Sequence, residues 1–163
     1  MTAKKIFKKN ESVIIFTLFL LTLLLSRINI PLLESAGLMP DYFLALFVSL
    51  IASRHTNINI FILFLLGICV DLIAGKLLGQ YALIFIIIYF TNFILNKNFI
   101  FQTQIMLITQ HLILATLGLF IFFISSLSYD LNINLTLFGI KFILTWLVCL
   151  LYQRLIQYLN NRI

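Results

Sequence analysis

Between Ile58 and Leu95 the sequence reads INIFILFLLGICVDLIAGKLLGQYALIFIIIYFTNFIL, with one acid, Asp71, and one base, Lys76. As one continuous helix, at about 1.5 Å per residue, this run would reach nearly twice the roughly 30 Å of a bilayer's hydrocarbon core. It therefore has to turn back on itself. The only stretch suited to a turn is Ala74-Gly75-Lys76-Leu77-Leu78-Gly79-Gln80. Glycine can close a helix in the left-handed conformation, and the Lys76 ammonium needs water. The stretch is thus read as two apolar helices, about 59–74 and 78–95, placed back to back in a membrane.

Working outward, the same hydropathy gives four more helices, at about 12–28, 40–53, 104–125 and 135–159. The expected architecture is an all-α integral membrane protein, a bundle of about six transmembrane helices in a single polytopic membrane domain spanning 1–163. Composition agrees: the 163 residues are 63% hydrophobic and 10% charged, with mean hydropathy +1.14. That leaves too few polar residues to cover a water-soluble domain. Asn29 to Asp41, with Pro31, Gly37 and Pro40, cannot form an uninterrupted helix. The apolar part of the second helix falls short of a full span, so it either begins earlier, near Ala36, or enters only part of the bilayer. Lys4, Lys5, Lys8 and Lys9 precede the apolar run Val13–Leu25, which lacks a small-residue cleavage site and is read as an uncleaved first span.

The net charge is +6, but the bases sit at segment ends, where membrane topology and not nucleic acid places them. With six spans, Lys4, Lys5, Lys8, Lys9, Arg54, Lys97, Arg154 and Arg162 share one side. Arg27 and Lys76 lie on the other, with Glu34, Asp41 and Asp130. The positive-inside rule makes the first side cytoplasmic, and with it both termini. Cys69 and Cys149 lie in apolar runs and read as small buried hydrophobes. No Cys or His cluster suggests a metal site. No phosphate loop and no nucleophile with a helper base is present, so neither catalysis nor a cofactor is expected.

The informative residues are polar ones at membrane depth. An acid there costs about 2.5–3.5 kcal/mol at the centre of a span and less near the interface. Asp71 must therefore face protein or water. It is either a binding or coupling carboxylate, or an acid that caps a neighbouring helix or pairs with Lys76. Gly67, Asp71, Gly75 and Gly79 recur every four residues, and on one helix they would share a face. The turn limits that face to Gly67 and Asp71, with Gly75 at its edge. Such a small-residue seam serves close helix packing within the chain or, alternatively, an external partner. Lys141 either snorkels to the outer interface or pairs with Asp71 or Asp41. Gln110 and His111 lie inside the fifth helix, and such an isolated intramembrane histidine reads as a hydrogen-bonded packing residue in preference to a proton relay; Trp146, midway along the sixth, is expected to pack between helices.

Met39-Pro40-Asp41-Tyr42 and the run Gly67 to Leu83, GICVDLIAGKLLGQYAL, resemble the rod shape-determining protein MreD family. That family has Pro-Asp and an aromatic at the start of its second hydrophobic segment. It then has Gly-Leu-x-x-Asp, a glycine four residues on, and Leu-Leu-Gly-Gln-His-Ala-Leu. Length, the basic N-terminus and the late Trp146 are also similar. The chain departs from the pattern at Met39, where many members have Arg, at Tyr81, where His is common, and at Leu147, where Pro is frequent.

The resemblance implies a non-enzymatic inner-membrane subunit of the bacterial cell-elongation machinery. Such a subunit binds MreC, with MreB, RodA and a penicillin-binding transpeptidase in the wider complex, and helps organise sidewall peptidoglycan synthesis. It marks Pro40, Asp41, Gly67, Asp71, Gly75, Gly79 and Gln80 as binding or helix-contact candidates. It also implies a bundle similar to the substrate-binding subunits of energy-coupling-factor transporters, in which a lipid or small molecule could sit. A transporter subunit of that type is the alternative function, but Val13–Leu25 lacks the alanines with which such subunits dock their coupling protein. Monomer and homodimer both stay open.

Overall fold

Long runs of Leu, Ile and Phe without proline become helices in a bilayer because every backbone N–H and C=O must find its partner inside the segment. The computed structural model describes residues 3–28, 38–53, 59–74, 78–98, 104–127 and 135–162. Among them lie six helices and no strand: α1 (Ala3–Ser26), α2 (Tyr42–Ala52), α3 (Ile60–Ala74), α4 (Gln80–Asn98), α5 (Gln104–Leu127) and α6 (Leu135–Arg162). α1 starts well before the expected residue 12 because nothing from Ala3 to Ser12 breaks a helix and its lysines favour one.

Among the described residues, three helices are long and apolar enough to cross a membrane, over Gln80–Lys97, Met106–Ser125 and Thr136–Leu159. The apolar parts of the others are shorter: Ile15–Ser26, Tyr42–Ala52 and Ile60–Ala74. At about 1.5 Å per residue, α2 is about 16 Å long and α3 about 22 Å. Residues 38–41 are not helical and Asp41 is the N-cap of α2, so this helix does not reach back toward Ala36. It is the short alternative.

α2 is the axis of the bundle. Every residue from Phe43 to Ala52 is buried, and α1, α4, α5 and α6 all pack on it, while α3 packs on α4. Leu44, Phe47 and Leu50 meet Phe85 and Ile88 of α4, Leu114 of α5 and Cys149 of α6 in one core. The Phe47 and Phe85 rings stack with centroids 4.0 Å apart. Gly118 lets α5 come close: a Cβ there would fall 2.9 Å from side-chain carbons of both Leu44 and Ile88.

The outer surface is apolar. Phe61, Phe93, Phe120 and Leu151 are each more than 60% exposed, while Asp41, Ser49, Asp71, Asn92, Gln110, His111 and Thr145 are buried. Polar groups inside and hydrocarbon outside is the reverse of a water-soluble fold and suits acyl chains as solvent.

Candidate functional site

The site begins with one stripe of α3. Leu63, Gly67, Val70 and Asp71 are its buried residues, spaced to lie on one helix face. Gly67 sits directly against the backbone of α4: a Cβ on it would lie 2.4 Å from the Ala82 Cα and 2.7 Å from the Ala82 nitrogen. This contact brings the two helices together and sets Asp71, one turn further on, at the start of α4.

There Asp71 acts as the cap of α4. Its Oδ2 accepts the Gly79 N–H at 2.8 Å and its Oδ1 the Tyr81 N–H at 2.8 Å. These donors open a helix and have no intrahelical acceptor of their own. Gly79 makes the entry possible, with φ +96°, a conformation that side-chain-bearing residues rarely adopt. The carboxylate is fully buried, and the burden of burying it is met by two charge-assisted hydrogen bonds.

Tyr81 carries the connection on. Its hydroxyl donates to Asp41 Oδ2 at 2.5 Å. Asp41 in turn caps α2, its Oδ1 accepting the Leu44 N–H at 3.0 Å. Its own N–H donates to Thr145 Oγ1 of α6 at 3.1 Å, and that hydroxyl donates to the Lys141 carbonyl at 2.8 Å. Two helix-capping acids, 30 residues apart in sequence, are thus joined through one tyrosine.

Pro40 and Asp41 stand at the edge of an open cleft of about 190 Å³, bounded also by Ser26, Met39, Tyr81 and Lys141. The Lys141 ammonium lies 5.2 Å from the centroid of the Phe122 ring and forms no ion pair with Asp41 or Asp71. Gln80 bonds α5, its Nε2 donating to Ser125 Oγ at 2.5 Å. Pro40, Asp41, Gly67, Asp71, Gly79 and Gln80 therefore gather around the N-termini of α2 and α4, whereas Gly75, like Lys76, lies outside the described residues.

A second polar cluster lies at the other end of α2; of its members the sequence reading singles out Gln110 but not Asn92 or Asn96. Asn92 Nδ2 donates to the Ile51 carbonyl at 2.8 Å, and Gln110 Nε2 donates to Asn92 Oδ1 and, at 3.1 Å, to Asn96 Oδ1. The available signal was Asn92 and Gln110 standing inside apolar runs. His111 is a packing residue, its Nδ1 2.6 Å from the Leu107 carbonyl. Trp146 is partly buried against the core. Among the described residues, no three His, Cys, Asp or Glu side chains converge as metal ligands.

A family model described as rod shape-determining protein MreD matches residues 7–162. The chain belongs to the MreD family. The match takes in all six helices apart from the first few residues of α1, so the role in rod-shape determination applies to essentially the whole chain. It is a family of shape determination and not one defined by a reaction. Compared with curated proteins and with solved structures, the chain finds no significant match. The departure of this MreD chain at Tyr81 has a local explanation. Here the Tyr81 hydroxyl offers Asp41 a donor, as a histidine N–H also can. Met39, at the family's Arg position, borders the same cleft.

Proposed function

We propose that this MreD-family protein is a non-enzymatic inner-membrane subunit of the bacterial cell-elongation machinery. It binds MreC, works with MreB, RodA and a penicillin-binding transpeptidase, and helps organise sidewall peptidoglycan synthesis. Both termini face the cytoplasm. The observation that carries the reading is the family match over residues 7–162. Two features of the molecule support it. The buried acids are occupied as helix caps, Asp71 by two N–H groups and Asp41 by an N–H and a hydroxyl, which suits a scaffold. The apolar exterior gives partner helices in the membrane a surface to pack on.

Crosslinking to MreC in membranes tests it. Cys69 on α3 is exposed, not buried as its apolar run predicts, and serves as a native probe; single cysteines at Leu20 of α1 and Leu147 of α6, also exposed, sample two further faces. Cysteines in α2 would report nothing, since that helix is enclosed. At least one face is expected to crosslink to MreC, and the intact chain to co-purify with it. Absence of both, from membranes in which the chain is folded, would reject the reading.

A further inference from the structure

Lys141 lies inside the apolar span Thr136–Leu159. A charge in such a position is expensive unless something pairs with it. Its described contact is the face of the Phe122 ring, and among the described residues no carboxylate forms an ion pair with it. Asp41 borders the same cleft, but its two oxygens are already engaged by the Leu44 N–H and the Tyr81 hydroxyl. Among the described residues, therefore, the cleft holds a cation with no counter-charge paired to it. Its wall also includes Tyr42 and Phe43, whose N–H groups, the first two of α2, find no acceptor among the described residues.

The surroundings are those of an amphiphile. Ser26 of α1 and Lys141 of α6 border the cleft. Leu24 of α1, Ile28 just beyond its end, and Ile140 and Ile143 of α6 are exposed apolar residues. At about 190 Å³ the cleft accommodates a small polar head but not acyl chains. We infer that it binds the phosphate head of a membrane lipid, with Lys141 as counter-ion and the chains lying along α1 and α6. The inference stands or falls independently of MreC binding.

The test is the thermal melt of the full chain in a neutral detergent, followed by fluorescence of Trp146, the only tryptophan. Dioleoyl phosphatidic acid is compared with dioleoylglycerol, which differs only by the phosphate, and with inorganic phosphate. Phosphatidic acid is expected to raise the melting temperature of the native chain and of Lys141→Arg by about 2–4 °C. Dioleoylglycerol and inorganic phosphate are expected to leave it unchanged, and Lys141→Gln to lose the shift. Native mass spectrometry gives a second readout should a variant melt early: Lys141→Gln is expected to retain about tenfold less phosphatidic acid, a factor worth one decade in affinity. An equal shift in Lys141→Gln, an equal shift from dioleoylglycerol, or no shift from phosphatidic acid would overturn the inference. So would an equal shift from inorganic phosphate, which would make the ligand the free ion.

Discussion

Tyr81 touches both acids that cap helices in this protein, Asp71 with its backbone and Asp41 with its hydroxyl. Removing the hydroxyl leaves a buried carboxylate oxygen without its donor, and an orphaned polar group of this kind costs about 1–3 kcal/mol. Tyr81→Phe is accordingly expected to lower stability by that amount in detergent, measured as the shift in thermal or denaturant midpoint; an unchanged midpoint would show that the bond contributes nothing. At this scale the sequence was half legible. Asp71 stood out because an acid in an apolar run needs a partner, and capping was one of the partners considered. That Tyr81 would also reach Asp41 was not legible, because 40 residues separate the two and no local pattern records which helix ends meet.

α3 and α4 show how much a helix pair can depend on one missing side chain. Because the atoms facing Gly67 are the Cα and nitrogen of Ala82, a methyl at position 67 meets backbone and cannot be relieved by trimming the opposite side chain. Gly67→Ala is expected to cost about 1–3 kcal/mol, the usual penalty of overpacking, and Ala82→Gly in the same chain is expected not to restore it. Recovery of the melting temperature in the double variant would contradict this geometry. The spacing of Gly67 and Asp71 announced a close contact, and the hairpin that makes it could be read from length and two glycines. The depth of α2 could not. Its sequence is short and apolar, which fits a helix dipping into lipid as well as one enclosed by protein. Only the assembled bundle, with Asp41, Tyr81 and Thr145 at one end and Asn92 at the other, distinguishes the two. Gly118 carried no signal either, being a lone glycine whose neighbours come from other helices.

For the whole molecule, α5 and α6 are each long enough to cross the bilayer, so Lys97 and the end of α6 are expected on the same side. Reporter fusions after Lys97 and after Arg162 are expected to give the same, cytoplasmic, signal; opposite signals would undo the topology. The six-helix plan, the basic ends and the apolar exterior were all legible because they follow from composition and period alone. The enclosed position of α2 has a consequence for biosynthesis. Its Asp41 end and its Ser49 flank wait for Thr145 and the Cys149 carbonyl, about 100 residues later in the chain. When α2 leaves the ribosome it has neither the length to span lipid unaided nor, apart from α1, the neighbours that will enclose it. The last helix to be translated is therefore the one that seals the protein. A chain stopped before Leu135 is expected to be cleared by membrane proteases, a loss that pulse-chase labelling would register as a shortened half-life beside the full-length product.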